Sequence, residues 1–300
     1  MAYRIKHEDG STGASVRRIA RQQVEAALAR IDDGGDAAGT IHDVRKRCKK
    51  IRGLLRLLRP ALDDDAAGNA AFRAIAAPLG PLRDADVLLD TFDRLVTRCS
   101  AAELARFTPV RAGLALHRNT VHARDDVQAL LRSARDALAD TLPRIARWKV
   151  GDDGFAAFSH GLRARYRRGR KAMRAAVRGG EDEAFHRWRK CTKDFAFHLR
   201  LLGPIWLAPM RAQRVCAERL GDILGQHHDL AVLAKQARRM PGIAEDVIDA
   251  LVDCIRARQR LLARDADALG ARLFAEPPRA LVTSWRRRHA AWVRDGDRPA

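Results

Sequence analysis

The chain has 300 residues and carries 57 Lys and Arg against 37 Asp and Glu, which gives a formal net charge of +20 at pH 7. Hydrophobic residues make up 47% of it, so a packed core is expected and disorder along the whole length is excluded. No apolar run approaches the roughly 18 residues that span a bilayer, and the first 15 residues are polar; we expect an intracellular, soluble protein without a membrane span. The five scattered cysteines form no C-x-x-C pair, which argues against a disulfide framework or a zinc site.

The positive charge is the first indication of function. Such an excess of cations is typical of proteins with a polyanionic partner, which is a nucleic acid, a membrane surface or polyphosphate. A genome that favours Ala and Arg gives the same composition, so charge alone does not decide between these explanations.

The sequence predicts an all-α protein. Ala, Leu and Arg dominate, all three favour helices, and alternating β-branched segments are nearly absent. Stretches of helix length lie between turn-forming residues, which predicts helical hairpins stacked into bundles. We expect a central linker at 151–154 and loose tails at 1–14 and 295–300. The predicted breaks are at 32–35, Pro60, 63–65, Pro78, Pro143, 151–154, 179–180, Pro204, Pro209, 241–242 and 277–278.

An internal repeat crosses the midpoint of the chain. Segments 41–60 and 185–204 match at an offset of 144 residues. The matched positions are His42/His186, Arg45/Arg189, Lys46/Lys190, Lys49/Lys193, Leu55/Leu199, Arg56/Arg200, Leu57/Leu201, Leu58/Leu202 and Pro60/Pro204.

Two further pairs of segments repeat at nearly the same offset. Segments 79–84 and 224–229 share Leu, Gly and Asp, and Arg17 and Arg21 align with Arg163 and Arg167. Ordered matches at one offset predict a duplicated helical unit. We therefore expect two four-helix-bundle-like halves, residues 15–150 and 155–294, related by a pseudo-two-fold axis.

Helical geometry places the repeated cations on one face. At about 100° per residue, the cations of the first copy share an arc of about 80°, and apolar residues occupy the far side. The second copy has the same pattern. The basic faces are His42, Arg45, Lys49, Arg52 and Arg56, then His186, Arg189, Lys193 and Arg200; the apolar faces are Val44, Ile51, Leu55 and Leu58, then Trp188, Phe195, Leu199 and Leu202.

Most charged helix faces are merely solvated, and such faces usually mix Glu with Lys at i, i+4. Here cations repeat at i, i+4 and i, i+7 without an acid on the face, which costs stability, and both copies retain the pattern. We therefore interpret the two faces, with Lys46 and Lys190 beside them, as an anion-binding site.

A third basic segment precedes the second repeated helix. Arg163, Arg167, Arg170 and Arg174 share a helical face, and Arg17 and Arg21 are its thinner counterpart in the first half. Tyr166 lies within this run and either donates its hydroxyl to a phosphate oxygen or packs in the core. The Arg run at 286–288 either extends the basic surface or is solvated.

The histidines and acids of the repeat have alternative roles. His42 and His186 lie among cations that favour their neutral forms. A bound polyanion would favour their protonated forms, so that binding strengthens toward pH 6. Alternatively, they bind as neutral groups or have a structural role. His227, His228 and Asp229 resemble a metal site, but adjacent helical residues diverge by about 100°, so no metal is expected. Asp84 and Asp229 are expected to orient neighbouring cations or cap a turn.

The His-x-x-Arg-Lys-x-x-Lys pattern, present at 42–49 and 186–193 and followed each time by Leu-Gly-x-x-x-Asp, resembles the CHAD domain, the conserved histidine α-helical domain. The resemblance covers roughly residues 15 to 290 and includes the Tyr-Arg-Arg-Gly-Arg run at 166–170. It implies two four-helix units with a basic groove or pore between them, and it implies binding of inorganic polyphosphate and association with polyphosphate granules. The triphosphate-tunnel β-barrel that many members also carry, with its Glu-x-Glu-x-Lys signature, is absent from this sequence.

Three functions remain open. The favoured one is a cytoplasmic polyphosphate-binding module without cofactor, because a track of Arg and Lys suits a base-free polyanion. The second is a nucleic-acid-binding protein, although few aromatics accompany the cations for base stacking. The third is a polyphosphate-processing enzyme, although the repeated faces lack the carboxylates that recruit a divalent metal.

Overall fold

The computed structural model describes residues 3–63, 65–97, 99–124 and 126–296, with Asp65 described by its backbone alone. Within these ranges the protein is all-helical, and the one β pairing is an isolated antiparallel bridge between Leu62 and Val150. The all-α prediction is confirmed. The helices are α1 (Thr12–Asp32), α2 (Ala37–Leu57), α3 (Asp65–Ala76), α4 (Gly80–Val96), α5 (Ala101–Arg106), α6 (Thr108–Arg124), α7 (Val127–Ala139), α8 (Thr141–Ala146), α9 (Ala156–Gly179), α10 (Asp182–Leu201), α11 (Leu207–Ala237), α12 (Glu245–Leu273) and α13 (Pro278–Gly296).

Local signals set where the site-bearing helices begin and end. Asp36 caps α2 by accepting hydrogen bonds from the backbone N–H groups of Ala38 and Gly39 at 3.3 and 2.7 Å. α9 ends at Gly180, whose φ of 69° lies in the left-handed region that favours glycine. Pro143 and Pro209 do not break helices as expected; each lies in the first turn of one, where a proline removes no intrahelical hydrogen bond.

The predicted apolar faces of α2 and α10 are confirmed. On α2 the four residues opposite the cations are at most 1% exposed, and on α10 their counterparts are at most 2% exposed. Burial of these faces turns the cationic sides of both helices away from the core. The buried residues are Val44, Ile51, Leu55 and Leu58, and Trp188, Phe195, Leu199 and Leu202.

The core is divided into two apolar clusters. The larger contains residues of α1, α2, α9, α10 and α13, and the smaller contains residues of α4, α6, α11 and α12. Each cluster therefore combines residues from both halves of the sequence. The division at 15–150 and 155–294 stays a prediction.

A close approach brings α2 against α9 and α10. A Cβ built on Gly161 of α9 would lie 1.9 Å from the carbonyl oxygen of Leu57, and one on Gly53 of α2 would lie 3.1 Å from the Phe197 ring. At Gly161 only glycine allows the two backbones to come this close, whereas the atom that approaches Gly53 belongs to a side chain. α2 therefore packs against both helices that follow the midpoint of the chain.

The expectation of a loose N-terminal tail is wrong for the described part. Tyr3 and Ile5 are each 4% exposed, because both side chains pack into the larger cluster. The Tyr3 hydroxyl donates to the carbonyl oxygen of Lys50 at 2.9 Å, and the Ile5 N–H donates to that of Leu201 at 3.0 Å. Residues 297–300 of the expected C-terminal tail lie outside the described residues.

Among the described helices, none combines the length and the apolar character needed to cross a bilayer.

Candidate anion-binding site

Lys49 of α2 lies where the two basic faces meet. The pKa of Lys49 is lowered to about 8 by partial desolvation of its ammonium group and by Arg45, Arg189 and Lys193, while Asp84 opposes them. Because Arg189 and Lys193 belong to α10, their effect on Lys49 places the cations of the second repeat next to those of the first. At least these three cations of the two predicted faces are close enough to influence one another.

His42 lies on α2 at one end of this cluster of cations. Burial lowers the pKa of His42, and the neighbouring cations Arg83, Lys46 and Lys49 lower it further. The direction agrees with the expectation of a neutral histidine among cations. Lys46 is exposed and makes no ion pair among the residues that the structure describes.

His186 occupies the corresponding place on α10. Its ring stacks on that of His228 from α11, with centroids 4.1 Å apart and an interplanar angle of 26°. Burial lowers the pKa of His186, with Lys190 the next cause, and it lowers the pKa of His228 to about 4. Both rings are therefore neutral at pH 7, and Lys190 is exposed without an ion pair in the described part of the chain.

Two polar atoms at this site are unused. Nδ1 of His186 and Nε of Arg189 are shielded from solvent, and neither has a hydrogen-bond partner among the described residues. Buried polar atoms are rarely left without partners, because the missing hydrogen bond costs about 1–3 kcal/mol. A ligand with several acceptor oxygens would supply what these two groups lack.

Corresponding contacts recur in the two copies. Arg45 lies over Gly80, and Arg189 lies over Gly225: Cβ atoms at these glycines would be 3.0 and 3.5 Å from the respective guanidinium nitrogens. The Leu-Gly segment of each copy thus leaves room for the arginine of the same copy.

The Asp of each Leu-Gly segment lies near the arginine that covers the glycine of that segment. Asp84 lies 3.7 Å from Arg45. Burial raises the pKa of Asp229, and Arg189 is the largest influence that lowers it, followed by Arg94 and Arg83. These placements fit the orienting role predicted for Asp84 and Asp229.

The predicted faces are not free of acids once the fold is formed, and this corrects the sequence analysis. Lys193 pairs with Asp222 at 2.9 Å, and Arg200 pairs with Glu218 at 3.4 Å. Both acids belong to α11, which packs along α10. A pattern confined to one helix cannot show acids that a neighbouring helix supplies.

Arg52 and Arg56 at the end of α2 have structural partners. Arg56 donates to Asp194 of α10 at 3.0 Å, and Arg52 donates to the side-chain oxygen of Asn69 at 3.1 Å. Asp194 is 3% exposed and also accepts a hydrogen bond from Arg165. Two cations hold the pKa of Asp194 below its ordinary value against the effect of burial. This ion cluster joins α2, α9 and α10.

The basic segment of α9 lies on a different surface from Lys49. Arg165 points toward Asp194, and Arg163 lies about 200° away from it around the helix. Arg163, Arg167 and Arg174 are exposed on that outer face, and Arg170 donates to the carbonyl oxygen of Ala275 at 3.5 Å.

Tyr166 and the two cations of α1 are also placed away from the cluster. Tyr166 is 1% exposed and its hydroxyl donates to the carbonyl oxygen of Leu273 at 3.2 Å, so it packs rather than offering a hydroxyl to a surface anion. Arg17 donates to the carbonyl oxygen of Trp148 at 3.0 Å, and Arg21 lies 3.6 Å from Glu25 on its own helix.

Sequence reasoning missed Arg83 and His228, which approach His42 and His186 respectively. Both are the residue immediately before the Asp of a Leu-Gly segment, so they occupy corresponding positions of the repeat. The repeat therefore contained the signal that would have identified them.

The structure gives no support to a metal site at 227–229. The His227 ring stacks on Phe185 with centroids 4.1 Å apart, whereas His228 turns to His186. Among the described residues no group of three or more His, Cys, Asp or Glu side chains is placed to hold a metal ion.

Comparison with known proteins identifies the family of the chain. The family model of the CHAD domain matches residues 18–238. The chain belongs to the CHAD family. This family is associated with polyphosphate. The expectation drawn from the His-x-x-Arg-Lys pattern is therefore confirmed at the level of the family.

A solved CHAD structure has the same overall fold. PptA from Streptomyces chartreusis superposes with a TM-score of 0.63 at 17% identity, over 89% of this chain and 100% of that chain. At this identity the likeness concerns the fold alone. No curated protein sequence matches the chain.

Proposed function

We propose that this CHAD protein binds inorganic polyphosphate in a basic groove between two duplicated halves. α2 and α10 supply the floor of the groove, and α4 and α11 flank it. The observation that carries the proposal is the position of Lys49, whose pKa is lowered both by Arg45 of its own helix and by Arg189 and Lys193 of the other copy.

The cations that remain without a carboxylate partner define the track. Lys46, Lys49 and Lys190 make no ion pair among the described residues, and Arg83 and Arg189 lie beside them. These cations repel one another, and an anion with one charge per phosphate offsets the repulsion. Arg binds phosphate oxygens through its planar fork of donors and Lys acts as a point charge. His42 and His186 add donors at the two ends.

Competition between polyphosphate and DNA separates this proposal from nucleic-acid binding. Long-chain polyphosphate is expected to displace a single-stranded DNA at a far lower concentration of phosphate than the reverse, because the described residues of the site offer cations without a series of exposed aromatic rings for base stacking. Fluorescence anisotropy of labelled DNA measures the displacement. Equal displacement in both directions would favour the nucleic-acid alternative.

A charge-reversal pair tests the site itself. Lys49→Glu with Lys193→Glu is expected to weaken polyphosphate binding by at least about a hundredfold, since it replaces one cation of the track and the neighbouring Lys193, which already pairs with Asp222, by two anions. Arg163→Glu with Arg167→Glu makes the same change in net charge on the outer face of α9 and serves as the matched control. Its affinity should fall by no more than about threefold.

Circular dichroism establishes that both pairs keep their helical content. Full affinity in the Lys49/Lys193 pair would remove these residues from the site. An equal loss in both pairs would mean that net charge, not the groove, determines binding.

We propose a binding role rather than catalysis, because cations and histidines predominate at the track and the nearby carboxylates, Asp84 and Asp229, lie beside Arg45 and Arg189. Incubation with long-chain polyphosphate and Mg²⁺ should leave the chain length on a gel unchanged. Shortening of the polymer would instead support the enzyme. In the cell, a labelled protein is expected at polyphosphate granules, and the Lys49/Lys193 pair is expected to be diffuse.

A further inference from the structure

A cavity whose lining does not include Lys49 lies where α9 ends and α10 begins against α11 and α12. Its volume is about 400 Å³, within the range of small-molecule sites. His227 lines this cavity, whereas the next residue, His228, stacks on His186 of the proposed polyphosphate site. Adjacent residues of α11 therefore face two different places.

Arginines of α12 line one side of this cavity. Arg256, Arg260 and Arg264 follow i, i+4, i+8 spacing and so share one face over about 12 Å. Arg256 lies 3.8 Å from Asp253, while Arg260 and Arg264 make no ion pair in the part of the chain that the structure describes. All three are exposed, so they are accessible to the phosphates of a ligand.

The rest of the lining differs from a track for a bare polyanion. Val177, Ala263 and Phe185 supply apolar surface, and Asp182 and Asp267 supply two carboxylates. Carboxylates repel a chain of phosphates, but they accept hydrogen bonds from hydroxyl and amino groups. The lining of the cavity thus has three parts, which are a row of arginines, two carboxylates that accept hydrogen bonds, and an apolar wall.

His227 adds an unused polar atom to the lining. It is 4% exposed, and its Nδ1 has no hydrogen-bond partner among the described residues. Oδ1 of Asp182 lies 3.8 Å from that nitrogen, which is too far for a hydrogen bond. Gln259 holds the wall in place, since its amide donates to Asp182 at 2.9 Å and to the carbonyl oxygen of His227 at 3.2 Å.

We propose that this cavity binds a nucleoside polyphosphate. The phosphates lie on Arg260 and Arg264, the nucleoside packs on Val177 and Ala263, and its hydroxyl and amino groups donate to Asp182 and Asp267. The apolar wall and the two carboxylates are what select a nucleoside over inorganic polyphosphate. This site is independent of the groove at Lys49.

Isothermal titration calorimetry with ATP as the probe tests the proposal on the full chain. Adenosine, which lacks phosphates, and tripolyphosphate, which lacks a nucleoside, are the comparison ligands. Titrations of ATP into protein whose groove is already saturated with long-chain polyphosphate isolate the cavity. ATP should still bind there, and tripolyphosphate should bind at least about tenfold more weakly.

Charge reversal locates the ATP. Arg260→Glu with Arg264→Glu should weaken ATP binding at least about tenfold and leave polyphosphate binding within about twofold. Lys49→Glu with Lys193→Glu should do the opposite. Arg272→Glu with Arg279→Glu, exposed and outside the cavity lining, makes the same change in net charge and should alter neither.

Three results would overturn the proposal. One is no heat of binding up to about 1 mM ATP in polyphosphate-saturated protein. Another is loss of ATP binding in the Lys49/Lys193 pair but not in the Arg260/Arg264 pair, which would mean that ATP occupies the polyphosphate groove. The third is equal affinity for ATP and tripolyphosphate, which would remove the nucleoside from recognition.

Discussion

Lys49 is a residue of α2 whose ammonium group is influenced by cations of both α2 and α10. Its pKa is lowered to about 8 by partial loss of solvent around its ammonium group, and by Arg45 and two cations of α10. At pH 7 the lysine is still charged, and that charge is held at a cost in stability. A phosphate placed against it relieves the repulsion, so binding and protonation of Lys49 favour each other.

This linkage predicts how polyphosphate affinity depends on pH. Below pH 8 Lys49 is protonated with and without ligand, so its titration makes no contribution to the pH dependence of affinity. Above pH 8 the free lysine loses its proton, while bound phosphate raises the pKa back toward 10.5; binding then takes up a proton. Affinity should fall by up to about tenfold per pH unit there, measured by calorimetry.

Lys49→Arg is the matched control for this prediction, because arginine stays charged throughout the range. The variant should bind polyphosphate at pH 7 and lose most of the decline above pH 8. A profile that declines equally in both proteins would show that another group titrates. Extending the titration below about pH 6 tests whether His42 and His186 take up protons on binding, and His42→Gln with His186→Gln should abolish any rise there.

Asp194 shows how one residue limits what sequence patterns reveal. The cationic spacing on α2 predicted Arg56 as an anion ligand, and the side chain does bind an anion, but that anion is Asp194 of α10. Asp194 is buried, and an unpaired buried carboxylate is strongly unfavourable. Arg56 and Arg165 are therefore used to join helices.

At the scale of elements, the crossing of α2 and α9 depends on Gly161. A Cβ at this position would lie 1.9 Å from the carbonyl oxygen of Leu57, and 2.8 Å from that of Arg56. These are backbone atoms at the end of α2, so they cannot move aside as a flexible side chain would. The helices must separate to admit a methyl group, and the Arg56–Asp194–Arg165 cluster bridges the same contact.

Gly161→Ala is therefore expected to destabilise the protein by about 3 kcal/mol or more, at the upper end of overpacking effects, despite the higher helix propensity of alanine. Urea unfolding followed by circular dichroism measures the change. Gly179→Ala, on the same helix with no atom near the added Cβ, is the control and should be neutral or stabilising. Equal stability of the two variants would mean that α9 does not approach α2 this closely.

At the scale of the whole molecule, the net charge of +20 opposes the compact state. Salt screens this repulsion, and a bound polyanion neutralises part of it and adds stability by mass action. We predict that the melting temperature rises with NaCl when polyphosphate is absent, and that the additional rise caused by polyphosphate shrinks as NaCl increases.

The salt dependence of affinity quantifies the same effect. With about five phosphates neutralised, the logarithm of affinity should fall with the logarithm of salt concentration with a slope of about −3.5. Lys49→Glu with Lys193→Glu should flatten this slope. A slope near zero in the unmodified protein would contradict an electrostatic track.

The sequence by itself determined the helical class of the fold, the buried faces of α2 and α10 and the family, and it predicts a repeat. Helical period and the matched offset are properties of the chain alone, so Val44 and Trp188 were predicted as core residues and His42 and His186 as counterparts. It also assigned cations to a face, but it could not determine which of them remain unpaired.

Only the tertiary structure decided that question, because the partner of a charge is selected by distance in space. Packing of α11 along α10 placed acids against Lys193 and Arg200, while burial of Asp194 occupied Arg56. The same packing left Lys46, Lys49 and Lys190 without ion pairs among the described residues and turned the arginines of α9 to another surface. Electrostatic energy depends on separation and burial, and neither can be read from the order of residues.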